Sequence, residues 1–599
     1  NLKNQSNSFF FLKKKYLRYI VALLTLTCIL LFSYYLKNNN YSNLDQKHSG
    51  NANNDFQTYV QNLFDEQLLS DSLSMHFYIK TPDKNIRNSP VTLGDFSYDS
   101  MVKSQQYYIN QINLLKDFNY KKLSQKEQLT YDVLLDYFRN QLDYGDLCLC
   151  NPVLSPTTGI QAQLPILFAE YTFADKKDID NYLTLVSQIN DFLNQICEFQ
   201  ILKAKNNSFL GSETCNLVIK QCISFLAENK PKGNLFHTSF VSKISNCKFL
   251  SDSEKNNYIN KNLDLINSSV FPGYNKIISS LKYLQKSGYC KNNKGICHLK
   301  NGKSYYEFLV KNYTGSSKSV LELKSDIQSR LMKDMRTMYS ILTVNLENMF
   351  YSEEHKSKSP QAILKELNSK YTDDFPNIGN INYTVKYVDE NLQDYLSPAF
   401  FLTPAIDDTN NNVIYINKSD AFSKQDIYTT LAHEGIPGHM YQSAFFLQTN
   451  PLPVRHILSY GGYTEGWATY VEFLSYSYEY SDQRLAKALS CSASYSLALY
   501  SLCDIGINYE GWSFKETKDF LKNYNITGDD ICKNIYQTVI NEPANYLQYY
   551  VGYLEITALK EKVQKQLGTD FNLKDFHKSF LTIGPADFKT VEKWIYTFY

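Results

Sequence analysis

The sequence predicts a mainly α-helical body with a small β element, carried behind one N-terminal membrane-spanning helix. Three observations predict this. An apolar run with basic residues before it lies near the start of the chain. Apolar residues recur at spacings of three and four through most of the remainder. That pattern breaks once, near residues 401–420, where a turn cluster meets a β-branched and aromatic run.

The N-terminal stretch "FLKKKYLRYIVALLTLTCILLFSYYLKNNN" sets Lys13, Lys14, Lys15 and Arg18 ahead of an apolar run over residues 19–36. About 18 apolar residues reach the lower limit for spanning a bilayer. Basic residues on the N-terminal side predict residues 1–18 in the cytoplasm and an exported body. Bulky aromatics in "FSYYLKNN" occupy the place where a cleavage site wants small residues, so a signal-anchor is expected ahead of a cleaved signal. Cys28 has no lipobox around it, which predicts no lipid anchor. Residues 37–56, rich in Asn and Ser, read as a flexible tether. Residues 57–599 then form the helical body, without internal repeats or a further linker.

With 61 Lys plus Arg against 60 Asp plus Glu, the chain has no net field to attract nucleic acid. Eleven of its twelve cysteines lie outside the apolar run, so at least one is unpaired. Cys148 with Cys150, and Cys290 with Cys297, are spaced to pair locally. No CxxC exists, which argues against a thiolate zinc cluster.

Within the body, "TYVQNLFDEQLLSDSL" and "VLELKSDIQSRLMKDMRTMYSILTVNLENMF" carry the helical spacing, the second as a long amphipathic helix. In "FLTPAIDDTNNNVIYINKSD" a strand is predicted over Val413–Asn417, 16 residues ahead of a candidate metal helix. Such a strand serves either as an edge that takes a substrate backbone or as a structural hairpin.

The candidate metal helix is "LAHEGIPGHMYQ", residues 431–442. The usual zinc helix repeats its histidines four residues apart. Here His433 and His439 are six apart, which in a regular helix rotates the second by about 240°. Pro437 has no N–H to bond the His433 carbonyl, and Gly438 relaxes the backbone, so a locally unwound helix is expected to bring both rings together. A third ligand is required. Glu465 in "YGGYTEGWATYVEFLSY" shares a helix face with Ala468, Thr469 and Glu472, and an inward carboxylate on an apolar helix calls for a partner. Glu434 is then the general base that activates water. Tyr546, Tyr549, Tyr550 and Tyr553 share a late helix and are candidate oxyanion donors, and spacing does not choose among them.

HEGIPGH (433–439), TEGWATYVE (464–472), DIGINYEGW (504–512) and PANYLQYYVGYLEI (543–556) occur in the order and spacing of a large bacterial family of unknown function with an HExxPGH signature, regarded as zinc peptidases. More distantly, "YLQY" resembles the Tyr-x-x-Tyr of helical gluzincins related to angiotensin-converting-type dipeptidases. The resemblance implies a two-lobed helical fold with a deep channel. It implies Zn2+ on His433, His439 and Glu465, with Glu434 and Tyr549 catalytic and Tyr546 contacting substrate. Two departures stand out: Met440 and Asn508 where relatives carry histidine. Asn508 and His456 are carried as candidate substrate contacts. The activity implied is a membrane-anchored, extracytoplasmic zinc metallopeptidase trimming short peptides as an exopeptidase or dipeptidase. The alternatives are a peptide-binding protein on the same fold, or a metal-dependent amidase or esterase.

Overall fold

A computed structural model describes residues 51–227, 230–342, 358–388, 393, 398–419 and 427–599. The predicted membrane span (19–36) and most of the tether lie outside the described residues. Among the described residues no helix is long and apolar enough to cross a membrane. The body starts earlier than expected. A helix runs Ala52–Ser70, with the Asn51 side chain accepting from the Asn53 and Asn54 backbone N–H groups. Phe56, Tyr59 and Val60 on its inner face are buried, so residues 52–56 are the first turns of a body helix, with Phe56 in the core.

Helices dominate and pack around two hydrophobic cores. One core is drawn from residues between Leu73 and Leu284. Its axis is the helix Lys176–Lys205, started by Asp175, whose side chain accepts from Asp178 N. Ile179, Tyr182, Val186, Ile189, Leu193 and Ile196 repeat at three and four along its buried face. The helices Ser212–Ala227, Leu235–Asn246 and Phe271–Lys286 complete this lobe. The second, larger core takes the N-terminal helices and nearly everything after Ile296. The long amphipathic helix is described as Val320–Leu342 and packs on Gln483–Asn508; residues 343–350 of the expected helix lie outside the described residues.

Three short strands interrupt the helices: β1 (Tyr383–Tyr387), β2 (Ala399–Leu402) and β3 (Asn412–Ile416). Their order is β1-β3-β2, with β1 parallel and β2 antiparallel to β3. The strand expected at Val413–Asn417 is therefore β3, and it is central rather than an edge. Its alternate residues Asn412, Ile414 and Ile416 are buried, as a strand paired on both sides requires. On its other face Tyr415 stacks on Phe400 at 4.7 Å, beside Ile166 of the first lobe, and its hydroxyl donates to Glu170 Oε2 at 2.9 Å. The sheet thus fastens the two lobes together.

The eleven described cysteines are unlinked. Neither sequence-local pair forms. Cys150 Sγ donates to Lys300 O at 3.1 Å, and Cys297 Sγ turns to Ile507 O at 3.5 Å.

Candidate metal centre

The six-residue histidine spacing is resolved by two helices, not by one unwound helix. The first, Tyr428–Glu434, ends with Gly435 N donating to Leu431 O at 2.9 Å. A tight turn with a cis Ile436–Pro437 bond follows, and the second helix, His439–Gln448, begins on the second histidine. Gly438 is obligatory here: a Cβ on it would sit 1.8 Å from His433 O. Trp467 Nε1 donates to Pro437 O at 2.9 Å and anchors the turn to the next helix, Gly461–Glu479. His433, on the last turn of one helix, and His439, on the first turn of the other, face each other with ring centroids 4.9 Å apart.

The Gly461–Glu479 helix delivers Glu465, which is fully buried. It crosses the helix Asn545–Leu567 at glycine contacts: a Cβ on Gly466 would lie 2.4 Å from the Gly552 carbonyl carbon, and one on Gly552 2.2 Å from Gly462 O. This close approach brings Tyr549 over the site, its ring 6.4 Å from that of His433.

Glu465 reaches both imidazoles, with Oε2 3.5 Å from His433 Nε2 and Oε1 3.4 Å from His439 Nε2. These are ion-pair separations. Glu465 Oε1, Glu465 Oε2 and His439 Nε2 are all buried without a hydrogen-bond partner. One ligand atom from each of the three residues lies within 4.8 Å of the others. Buried polar atoms left unpaired are costly, and three converging on one point fit a cation. His433 Nδ1 meets Glu472 Oε2 at 3.1 Å, which leaves Nε2 to face the site.

The electrostatics agree. Burial works against charge on His433, yet Glu465 and Glu472 raise its pKa to about 10. Burial pushes the Glu465 carboxyl up, but His439 and His433 bring it down to about 2. The carboxylates demand positive charge between them, as a divalent cation supplies. Burial raises Glu434 above the usual carboxylate range, opposed by His433, His439 and the Phe401 N–H of β2, which donates to Glu434 Oε2 at 3.0 Å.

His433, His439, Glu465, Glu434 and Tyr549 are thus brought together as expected. Tyr546, one turn before Tyr549, stacks on Tyr500 at 4.5 Å. Two further candidates hold contacts within the protein. Asn508 is fully buried and committed to the protein: its amide donates to Asp504 Oδ1 and Val539 O, and its oxygen accepts from Ile296 N, each at 3.0 Å. His456 packs against the Phe446 ring at 5.3 Å, where burial, with Arg455 beside it, lowers its pKa to about 4. Neither is offered to a substrate by these contacts. Met440, the other departure, is a fully buried core residue.

Sequence reasoning placed Glu472 on the Glu465 face without giving it a task; its charge on an apolar helix was the available signal. The Phe401 N–H had no signal, since a backbone donor carries no residue identity. Residues 389–392, 394–397 and 420–426, which neighbour β1, β2, β3 and the first metal helix in sequence, lie outside the described residues. The deep channel implied by resemblance is not described.

A model of the family described as "Bacterial protein of unknown function (DUF885)" matches residues 86–595. Among solved structures, the chain is similar to "the putative lipoprotein from Colwellia psychrerythraea" (TM-score 0.78, 19% identity, covering 90% of this chain and 99% of that one). It is also similar to "a putative lipoprotein of unknown function from Shewanella oneidensis" (TM-score 0.64, 16% identity, 90% and 98% covered). At these identities the likeness shows a shared fold. No curated protein matches the chain.

Proposed function

We propose that this chain, which belongs to the DUF885 family of bacterial proteins of unknown function, is a zinc-dependent peptidase acting outside the cytoplasm on short peptides. One observation carries the reading: Glu465 and His439 hold three buried, unpartnered polar atoms against His433, with the general-base candidate Glu434 adjacent. Two imidazoles and one carboxylate are the donor set of a catalytic zinc with an open position. The same donors accept other divalent ions, and elemental analysis distinguishes them.

When bound, the cation supplies Lewis acidity toward water and the scissile carbonyl. Every other step belongs to the chain. Glu434 is held through Oε2 by the Phe401 N–H, leaving Oε1 to take the proton from the attacking water and return it to the leaving amine. Tyr549, whose phenol is held protonated by burial and by the Glu465 and Glu434 carboxylates, donates to the developing oxyanion. β2 places its outer edge against Glu434, the position from which an extended peptide could be aligned by strand addition, with Tyr546 as a further contact. Trimming of one or two residues follows from the channel implied by the resemblance. The basic-flanked apolar run at 19–36 supports anchoring of the body outside the cytoplasm.

The test is metal content and turnover of a peptide library by the full chain beside Glu434→Gln. One zinc per chain is expected in both, with hydrolysis falling at least about 100-fold in the variant. Well-folded wild type without metal would overturn the reading. Metal without peptide turnover would leave a binding protein, and hydrolysis confined to esters or non-peptide amides would leave the amidase alternative.

A further inference from the structure

Cys215 and Cys290 are 75 residues apart in sequence and meet in the first lobe. Cys215 is fully buried on the first turn of the helix Ser212–Ala227, and Cys290 is half-buried just past the end of Phe271–Lys286. These two helices pack side by side. The loop after Cys290 is stitched to the start of the first helix. Asn293 Oδ1 accepts from Glu213 N at 3.2 Å and the Asn293 amide meets Ser212 Oγ, while from the helix before Cys290 Gln285 Nε2 donates to Asn216 Oδ1 at 2.7 Å. Gly211 allows the approach, since a Cβ there would lie 2.2 Å from Asn292 O. The result is that the Cys215 and Cys290 side chains are neighbours and interact with each other. Thiols elsewhere turn to backbone: Cys150, Cys247 and Cys297 donate to carbonyls of Lys300, Lys243 and Ile507.

The location gives the pair a consequence. Thr214, next to Cys215, donates from Oγ1 to Asn541 Oδ1 at 2.8 Å in the buried seam between lobes. Asn541 ends the helix that precedes Asn545–Leu567, the helix carrying Tyr546 and Tyr549. From Cys290 the chain runs six residues to Ile296, whose N–H donates to Asn508 Oδ1. We propose that Cys215 and Cys290 are a disulfide-forming pair that ties two elements of the first lobe together, at its seam with the metal-bearing body, under oxidising conditions.

The oxidant is an external disulfide. The Cys290 thiolate attacks one of its sulfurs, forming a mixed disulfide and releasing one thiol. Cys215 then loses its proton, attacks Cys290 Sγ and displaces the second thiol. Contact with Cys215 holds the Cys290 thiol below its ordinary pKa, which suits it to attack first.

The test exposes the full-length protein to excess glutathione disulfide, alkylates it without reduction and maps its peptides. The expected result is one linked Cys215–Cys290 peptide pair and a loss of two thiols per chain. In Cys290→Ser, and independently in Cys215→Ala, the linkage and the two-thiol loss disappear. Reduction lowers the Tm of oxidised wild type by a few degrees and leaves Cys290→Ser unchanged. Recovery of both cysteines separately alkylated after oxidation, or linkage of either to another cysteine such as Cys297, overturns the proposal. Neither readout depends on metal content or turnover.

Discussion

Two polar clusters, each built on a fully buried carboxylate, sit in the larger lobe, and both fall on segments that the sequence singles out. At the first, Glu465 meets two histidines, yet both its oxygens and His439 Nε2 lack hydrogen-bond partners. At the second, Asp504 Oδ1 accepts from Tyr306 OH at 2.7 Å, Asn508 Nδ2 at 3.0 Å and Ala544 N at 3.1 Å. The chemistry of the side chains is similar; the satisfaction differs: three donors converge on Asp504 Oδ1 while its Oδ2 is buried without a partner, whereas neither Glu465 oxygen has one. A carboxyl already committed through one oxygen to three donors works as a joint, here holding the start of the tyrosine helix. Three unpartnered atoms that converge on one point are stable only if something absent from the protein completes them.

The largest expected effect separates the two clusters at once. Glu465→Ala should abolish stoichiometric metal binding, as measured by elemental analysis of the dialysed protein, because two histidines alone leave the donor set incomplete. Retention of one tightly held metal per chain would sink the assignment of the first cluster. A smaller effect is expected from Glu472→Gln. The His433 Nδ1 contact survives in a neutral form, so metal should still bind, with affinity reduced about 10–100-fold in a chelator competition. Unchanged affinity would show that Glu472 does not set the orientation of His433.

Much of the first cluster was legible because its signal is local. Ligand residue types, a proline and glycine between the histidines, and a lone carboxylate on an apolar helix all lie within short windows. The way the spacing is solved was not legible. Whether Pro437 and Gly438 bulge one helix or end it depends on Trp467 and on the space under Gly438, both set by tertiary packing. The helical class and a strand near Val413 were readable from periodicity. The central place of β3 was not, because β2 and β1 are four and five residues long and their pairing is non-local. The bonds of Asn508 were illegible for a related reason. A motif position says that a residue matters, and only the hydrogen bonds to Ile296, Asp504 and Val539 say that it matters as a joint. The cysteines went the same way: sequence proximity suggested Cys290 with Cys297, while helix packing brings Cys215 across.

The smallest effect, and the one that tests the joint, belongs to Asp504→Asn. Burial raises the Asp504 pKa to about 7, against the pull of Tyr306, Asn508 and Ala544. In the unfolded chain the same carboxyl titrates near 4. The folded state therefore holds a proton that the unfolded state releases between these values. Its contribution to stability is fully present below about pH 4 and is lost as pH rises through 7. Asparagine keeps an acceptor for the same donors and cannot ionise. Urea unfolding should find the variant within about 0.5 kcal/mol of wild type at about pH 3.5, where the Asp504 carboxyl is largely neutral in the folded and the unfolded chain alike. By pH 8 the variant should be the more stable of the two by about 1–3 kcal/mol. A variant equally destabilised at both pH values would mean that Asp504 is ionised in the fold, and that the second cluster, like the first, carries unbalanced charge.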